Sequence, residues 1–486
     1  MKSIFSLLIL LCAYTASGQP PKHVQLDSIR NLLQQRVDKG EAASVAVAVA
    51  QNGRILWKEA FGWADRENRV RATAKTVYPL ASLSKSMTAT AVWLLAEQGK
   101  IRLDAPVNRY LTSVPLTYYQ GHPDSLKIRH LLNMAGGIPH QLRYHYDAGG
   151  RPLPSVKDQI RQFGFVAYPP GRQHIYSNFS YAVADQLIAD ASGMSYSEYL
   201  QNQLFKPLKM TQSSTERPLS FAKGYFADGT PVAANRFLPR GGAGLYASLD
   251  DVLAFGLMHL NRNETGLLRA STLARMHSES EPVNPYYANG WGRLPMNDGR
   301  VMLLANGAIA GAATTLILLP GENIAIACLT NSTLGNDFTD GIGFSIAFAL
   351  VSGLQQSFEK LIGEVGPLFT DRPFASTPDW LGQWAGQMKS GTQTIPVRIT
   401  FGPDNSVHVV VGQQREIVAA PAVWERTLLK IRCPATLPVS GLPDGPHEAE
   451  LELVREGNRL FGCIRAISTG PRPGFSLPYP IELRKP

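Results

Sequence analysis

The chain has 486 residues, of which 44% are hydrophobic and 17% are charged, and its formal net charge at pH 7 is +9. This length exceeds the size at which a single hydrophobic core usually keeps growing, so two globular domains are expected. The balance of apolar and charged residues excludes a disordered chain. No run of lysine or arginine concentrates the positive charge, which argues against a nucleic-acid partner.

The N-terminus has the layout of a secretory signal peptide. Met1 and Lys2 precede the apolar run Ile4–Cys12, and the small residues Ala16–Gly18 follow where a signal peptidase would cut. An apolar run of this length is too short to span a bilayer stably. We therefore expect removal of residues 1–18, an exported protein that is periplasmic or extracellular, and no stable membrane span.

The next segments predict a helix, a hairpin and a second helix. Apolar residues recur at helical spacing over Leu26–Val37. Val45–Val49 then alternates valine with alanine, and an Asn-Gly pair turns the chain into a second strand, Arg54–Phe61. A long helix is expected over Ser82–Gln98, closed by the glycine that follows it.

Three strand-like runs lie much later, at Val301–Leu304, Thr314–Leu319 and Asn323–Leu329, and a helix is expected near Phe344–Ile362. Strands at both ends of a unit with a helical middle imply that distant parts of the chain meet in one sheet. Because hairpins link sequence neighbours, this sheet should be largely antiparallel. These patterns predict an α+β domain over residues 24–362.

The composition changes beyond this unit. Residues 363–378 are predicted to be a linker, because their second half is rich in proline. In Val397–Phe401 apolar residues alternate with polar ones, and a Gly-Pro-Asp-Asn turn leads into a second strand-like run with Val407, Val409 and Val411. Residues 379–486 are therefore predicted to form a separate all-β domain, a small barrel or sandwich.

Removal of the signal peptide would leave three cysteines. Cys328 lies in an apolar run and is expected to be a buried small hydrophobe. Cys433 and Cys463 share the C-terminal domain, and an oxidising compartment would permit a bond between them, but the sequence leaves their pairing open. Neither these cysteines nor the histidines show a metal-ligand spacing, so no metal site is predicted.

The first candidate for chemistry is the pair Ser82 and Lys85 at the start of the predicted long helix. Residues three apart share a helical face, so the amine can approach the hydroxyl and, with a pKa lowered by burial, help to remove its proton. The same Ser-x-x-Lys spacing recurs at Ser220–Lys223 and Ser357–Lys360. Only Ser82 follows directly on a strand-like run, and this context distinguishes it.

Tyr176 and Asn178 form a second candidate stretch, after a Pro-Pro-Gly turn. A tyrosine can act as a general base if a neighbouring ammonium lowers its pKa. An amide such as that of Asn178 can contact a lysine and a substrate carbonyl at once.

A third candidate stretch, Ala305-Asn306-Gly307-Ala308, consists mainly of small residues on a predicted strand. Small residues let a substrate backbone approach and pair with the strand edge. The backbone N–H of Ala308 could complete an oxyanion hole with that of Ser82. We therefore expect these four residues to contact the substrate.

The order of these stretches resembles the serine β-lactamase-like and penicillin-binding protein superfamily, in its class C β-lactamase, D-alanyl-D-alanine carboxypeptidase and esterase branch. Further landmarks of the resemblance are Gly136–Pro139, Gly242–Tyr246 and Asn289–Gly292. The resemblance implies an antiparallel sheet flanked by helices, a helical subdomain, a site in the cleft between them, and no cofactor. The C-terminal domain resembles the lipocalin-like β-domain that some relatives carry.

The same resemblance implies roles for four residues of this sequence. Ser82 would form the acyl-enzyme, Lys85 and Tyr176 would share the proton transfers, and Asn178 would position the lysine and the substrate. Which of Lys85 and Tyr176 takes the serine proton stays open. The implied partner is a small ester, amide or D-amino-acid peptide, with a cell-wall-derived peptide among the candidates.

One departure from the family pattern bears on the substrate. The third motif of the family begins with lysine or histidine, and Ala305 stands at the matching position here. Because that cationic side chain helps to hold a substrate carboxylate, its loss argues against efficient β-lactam hydrolysis. The alternative hypothesis is a ligand- or cell-wall-binding protein that keeps the fold without turnover. Whether the C-terminal domain selects substrates or is purely structural is left open.

Overall fold

The structure is a computed structural model that describes residues 22–146, 153–233, 235–260, 265–443, 445–470 and 474–485. The predicted signal peptide lies outside the described residues. Within the described ranges, no helix is both long and apolar enough to cross a membrane.

Helices flank a mixed set of strands in the first two thirds of the chain. The helices are α1 (Lys22–Asp38), α2 (Ser84–Glu97), α3 (Ile128–Leu132), α4 (Val156–Phe163), α5 (Asn178–Ser192), α6 (Tyr196–Leu200), α7 (Arg240–Ala243), α8 (Leu249–His259), α9 (Ala270–Ser278), α10 (Asn336–Leu350) and α11 (Leu354–Val365). The strands are β1 (Ser44–Gln51), β2 (Arg54–Asp65), β3 (Val70–Arg71), β4 (Val77–Pro79), β5 (Thr117–Tyr118), β6 (Leu142–Tyr146), β7 (Phe165–Val166), β8 (Asn235–Leu238), β9 (Tyr246–Ser248), β10 (Tyr287–Ala288), β11 (Trp291–Pro295), β12 (Val301–Ile309), β13 (Ala312–Leu319) and β14 (Ile324–Thr330).

An eight-stranded antiparallel sheet has the strand order β10-β11-β12-β13-β14-β1-β2-β3. The prediction that distant parts of the chain meet in one sheet is confirmed, because β1 pairs with β14 and Val47 lies opposite Cys328. A parallel pair, β5 with β7, lies outside this sheet. We call the eight strands the first sheet.

The alternation of valine and alanine in β1 has a direct structural cause. Side chains of successive strand residues point to opposite faces of a sheet. Val45 and Val47 pack with α1 and α10, whereas Ala46 and Ala48 belong to the core on the other face, where α8 lies. The small side chains on that face leave room for α8, whose Gly256 packs against β13.

The predicted helices at the start of the chain are confirmed, but the single helix predicted near Phe344–Ile362 is wrong. The structure has two helices there, α10 and α11, separated at residues 351–353. Gly353 has a φ of +73°, a left-handed conformation that a continuous α-helix does not contain. Apolar periodicity continues across the break because both helices cover the same sheet face.

The remainder of the chain is almost entirely strands. These are β15 (Arg372–Pro373), β16 (Gly382–Ser390), β17 (Gln393–Phe401), β18 (Val407–Val411), β19 (Ile417–Val418), β20 (Val423–Glu425), β21 (Leu428–Cys433), β22 (His447–Glu456), β23 (Arg459–Ser468) and β24 (Phe475–Arg484). They form a curled half-barrel sheet with the order β15-β20-β21-β22-β23-β24-β16-β17-β18-β19, which β6 and β8 extend from β24. We call it the second sheet.

Strands from the first part of the chain also belong to the second sheet. β6 pairs with β24, placing Arg143 opposite Phe475, so strands from before residue 240 belong to it. Within the segment predicted as a linker, Arg372–Pro373 forms an edge strand paired with β20.

Cys328, Cys433 and Cys463 are all buried free thiols, so no disulfide links the two cysteines of this sheet.

Candidate active site

Ser82 lies where a short strand turns into a helix. A one-turn 3-10 helix, Ala81–Leu83, joins β4 to α2. Ala81 has a φ of +49°, a left-handed conformation that costs a non-glycine residue on the order of 1 kcal/mol. The turn leaves Ser82 partly exposed between two buried neighbours, so its hydroxyl faces open space.

The amine of Lys85 is buried among three oxygen atoms. Its Nζ lies 2.8 Å from Ser82 Oγ, 2.6 Å from Asn178 Oδ1 and 2.7 Å from the carbonyl oxygen of Gly242. The Lys85 side chain is 1% exposed, and this burial lowers the pKa of its ammonium group below the ordinary value of a lysine. A neutral amine has two hydrogens, which the amide and carbonyl oxygens can accept, and its lone pair then faces the serine hydroxyl.

Tyr176 contacts the same hydroxyl. Its Oη lies 2.7 Å from Ser82 Oγ, and Lys85 Nζ lies 4.8 Å from the centroid of its ring. The Tyr176 side chain is 43% exposed, so its hydroxyl can contact both the serine and a bound ligand. Both candidate proton acceptors are therefore within reach of Ser82.

The start of α5 fixes the directions of Tyr176 and Asn178. Ser177 is the N-cap: its Oγ accepts from the backbone N–H of Ser180 and donates to the carbonyl oxygen of Pro139. α7 packs closely here, because a Cβ on Gly242 would lie 2.8 Å from the Asn178 carbonyl oxygen. The sequence marked Gly242 as a landmark but did not indicate that its carbonyl accepts from the lysine.

β12 passes over the turn that carries Ser82. Its pairing with β11 ends at Leu304, and no described strand pairs with that edge beyond this point. Ala305 lines the cavity beside Ser82, Gly307 packs against the 3-10 turn, and Ala308 is exposed. The small residues thus leave an open strand edge next to the serine.

Asn306 makes a different contact from the other residues predicted on this strand. Its Nδ2 donates to Asp340 Oδ2 at 2.6 Å, and Thr315 Oγ1 donates to Asp340 Oδ1 at 2.6 Å. Burial raises the pKa of the Asp340 carboxyl to about 6. Asn306 therefore lines the cavity while its amide ties β12 to α10.

A cavity of about 620 Å³ opens in front of Ser82. The first sheet and its helices contribute the residues described above together with apolar side chains, among them Leu294 and Phe369. The opposite wall belongs to the second sheet, through β22, β23 and the hairpin of β20 and β21. The C-terminal strands therefore line the cleft, which is the position that substrate selection by this region would require.

Charged side chains from the second sheet lie on this wall in a paired network. Arg465 forms ion pairs with Glu450 and with Glu452, the latter at 3.0 Å. Lys430 pairs with Glu425 and with Glu452, the latter at 3.3 Å. Sequence analysis gave no signal for this network, because strands with alternating glutamates look like solvent-exposed strands.

Two histidines of the cavity wall are neutral at ordinary pH. Burial lowers the pKa of the His140 imidazole to about 3, and Arg465 and Lys85 contribute. Its ring lies 6.0 Å from that of Tyr176. Burial also lowers the pKa of His174 to about 3, with a contribution from Arg426. Within the described ranges, no group of three His, Cys, Asp or Glu side chains could hold a metal ion.

A family model described as Beta-lactamase matches residues 29–350. Among curated proteins, Protein flp of Staphylococcus aureus (strain N315) is 25% identical over 315 residues, and the match covers 62% of this chain and 62% of that protein, less than two thirds of its length. The structure of SurE, also solved with D-Leu, has a TM-score of 0.63 at 20% identity and covers 90% of this chain and 97% of that one. The octameric penicillin-binding protein homologue from Pyrococcus abyssi has a TM-score of 0.57 at 19% identity, covering 94% of this chain and 100% of that one. At these identities the structural likenesses show the fold.

Proposed function

The chain belongs to the beta-lactamase family, and on this premise we propose that it is an exported serine hydrolase that forms an acyl-enzyme on Ser82. The observation that carries the proposal is the contact of Lys85 Nζ with Ser82 Oγ at 2.8 Å, in a site where burial lowers the pKa of the amine. A serine hydroxyl is a weak nucleophile until an adjacent base removes its proton. Lys85 and Tyr176 both lie where such a base is required.

The proposed reaction uses only groups of this chain and a water molecule. The Ser82 proton passes to Lys85, directly or through Tyr176, as Oγ attacks the carbonyl carbon. The backbone N–H groups of Ser82 and Ala308 stabilise the oxyanion, and Tyr176 returns the proton to the leaving group as the ester or amide bond breaks. Water then attacks the acyl-enzyme by the reverse sequence of proton transfers, which releases the acid and restores Ser82.

The proposed substrates are small esters, amides and D-amino-acid peptides. The open edge of β12 offers backbone groups that a peptide-like substrate can pair with. The crystallisation of SurE with D-Leu supports including D-amino-acid derivatives among the candidates. Ala305 provides no cation for the carboxylate of a β-lactam, so we propose weak activity on such compounds.

Turnover by the purified mature protein tests the proposal. p-Nitrophenyl esters, D-amino-acid p-nitroanilides and nitrocefin would be compared for wild type, Ser82→Ala and Ser220→Ala. Ser220 belongs to another Ser-x-x-Lys sequence and is exposed, so its variant is the matched control. We expect hydrolysis of at least one ester or anilide that Ser82→Ala abolishes and Ser220→Ala retains. Ligand binding without any turnover, unchanged in Ser82→Ala, would favour the binding-protein alternative.

Export is part of the same proposal and rests on the N-terminal sequence alone. N-terminal sequencing of the full-length gene product, expressed in a bacterial host with a periplasm, would locate the cleavage site. We expect a mature chain that begins near Gln19 in the periplasmic fraction. An uncleaved chain in the cytoplasm would contradict export.

A further inference from the structure

Arg426 occupies a tight turn on the second-sheet wall of the cavity. The two-residue turn 426–427 joins β20 to β21, and Arg426 has a φ of +57°. Glycine or asparagine adopts this conformation at lower cost, so an arginine there is a local strain of the kind that often accompanies function. Its guanidinium carbon lies 4.3 Å from the centroid of the Phe369 ring, which also lines the cavity.

The guanidinium of Arg426 differs from the other cations on this wall. Lys430 and Arg465 are each paired with two carboxylates, as described above. Glu425, the neighbour of Arg426, binds Lys430 instead. Across the part of the chain that the structure describes, the Arg426 guanidinium has no hydrogen-bond acceptor or carboxylate within contact distance. Burial lowers the pKa of the Arg426 guanidinium, and the charge of the nearby Glu425 carboxylate offsets only part of this effect.

A second unpartnered polar group lies in the same cavity. The Nε2 atom of His174 is buried and has no hydrogen-bond partner among the described residues. The ring is neutral, and Arg426 is one of the charges that keep it so. A buried nitrogen without a partner costs free energy unless a ligand or water contacts it. The Arg426 guanidinium therefore lacks an oxygen acceptor, whereas the His174 nitrogen donates or accepts according to the tautomer of the neutral ring.

We propose that Arg426, beside His174, forms a carboxylate-binding subsite in the cavity of Ser82, and that the preferred substrates are esters or amides with a free carboxylate. The subsite deepens the proposed function and rests on it. A guanidinium presents paired donors that match a carboxylate. The second sheet would thus supply a cation on the wall opposite to Ala305, away from the position that holds a β-lactam carboxylate in the family, and Leu428 and Phe369 would contact the apolar part of the substrate.

Pairs of esters that differ only in whether they carry a free carboxylate test the subsite. On the acyl side, p-nitrophenyl hydrogen adipate is compared with its methyl ester. On the leaving-group side, 3-carboxyphenyl butyrate is compared with its methyl ester. For wild type we expect a higher kcat/KM for the acid of at least one pair. In Arg426→Gln the ratio of acid to methyl ester should fall about 10- to 100-fold, as expected for loss of a hydrogen bond between charged groups, and Arg426→Lys should restore part of it.

Arg415→Gln is the matched control, because Arg415 is exposed in the connection between β18 and β19 and does not line the cavity. In Arg415→Gln the ratio of kcat/KM for the acid to kcat/KM for its methyl ester should equal that of wild type. An unchanged ratio in Arg426→Gln for both pairs would overturn the subsite, as would a wild type without preference for either acid. Absence of turnover on all four esters would count against the proposed function instead. Calorimetric titration of Ser82→Ala with monomethyl adipate, with and without Arg426→Gln, then tests the subsite without turnover: loss of binding in the double variant supports it, and equal binding overturns it.

Discussion

Gly307 lies against the backbone of Ser82, so close that a Cβ on residue 307 would stand 2.3 Å from the Ser82 amide nitrogen. The same Cβ would lie 2.6 Å from the carbonyl oxygen of Leu80. β12 and the turn of the serine can therefore adopt this spacing only with glycine at position 307. Thr314, which lies opposite Gly307 on the next strand, donates to the same Leu80 carbonyl at 2.8 Å and holds the turn against the sheet.

The first prediction is that Gly307→Ala loses activity without unfolding. The added methyl group must push β12 and the turn that carries Ser82 apart. A displacement of 1 Å at reacting groups can cost about 100-fold in rate. We expect kcat/KM to fall by about that factor in the p-nitrophenyl ester assay, with a cooperative thermal transition retained. Gly321→Ala is the control, because a Cβ there meets nothing within 4 Å. Wild-type activity in Gly307→Ala would show that this contact does not position the serine.

The second prediction concerns the hydroxyl of Tyr176. Removing a group that transfers protons in the transition state typically costs 10²- to 10⁴-fold. Because Tyr176 is 43% exposed, Tyr176→Phe should lower kcat within that range without a large change in melting temperature. Tyr119→Phe, at another exposed tyrosine, should leave kcat unchanged. A decrease smaller than threefold in Tyr176→Phe would assign the proton transfers to Lys85 alone.

The third prediction is a pH dependence that originates at Lys85. The amine accepts a proton only when it is neutral, so kcat/KM should rise with pH as Lys85 loses its proton. Burial lowers the pKa of this group, which places that rise below the ordinary lysine value of about 10.4. Arg stays protonated at any accessible pH. Lys85→Arg should therefore lose activity at every pH tested, and recovery of activity at alkaline pH would contradict the assignment.

The fourth prediction is a pH dependence of stability that originates at Asp340. Its pKa of about 6 in the folded protein lies above the unfolded value of about 3.9, so the folded state keeps a proton that the unfolded chain has released. The stabilisation present below pH 4 is therefore lost as the pH rises to 6. A shift of this size corresponds to about 3 kcal/mol.

Urea unfolding at pH 4 and pH 7 would measure this effect. The difference in free energy of unfolding between wild type and Asp340→Asn should fall by about 2 kcal/mol from the lower to the higher pH, because the unfolded carboxyl is already about half ionised at pH 4. Asp371→Asn, at an exposed position, should show no such change. A difference between wild type and Asp340→Asn that is independent of pH would exclude Asp340 as the titrating group.

Local patterns predicted the residues around the serine because the chemistry resides in short segments. The spacing of Ser82 and Lys85 follows from one helical turn, and Asn178 lies two residues from Tyr176 at the start of the next helix of the site. Apolar strand-like runs and a tight turn likewise predicted β1, β2 and the late strands, of which β1, β13 and β14 are buried on both faces. These features need no knowledge of distant contacts.

Long-range contacts could not be read in the same way. The carbonyl oxygen of Gly242 accepts from Lys85 through the backbone, which no side-chain pattern marks, and Arg426 lies well beyond the end of the family match. Asn306 was expected to face the substrate, but its amide contacts Asp340 on α10, whose position depends on the packing of the first sheet. Such contacts depend on how the two sheets pack together, which residue spacing does not specify.

The central claim is that Ser82 forms a covalent acyl-enzyme, and intact-protein mass spectrometry tests it most directly. Wild type, Ser82→Ala and Ser220→Ala would be mixed with a p-nitrophenyl ester, quenched in acid within seconds and digested for peptide mapping. We predict a mass increase equal to one acyl group in wild type and Ser220→Ala, located on the peptide that contains Ser82, and none in Ser82→Ala. Turnover of the ester without any adduct on that peptide, or an adduct that persists in Ser82→Ala, would contradict the account.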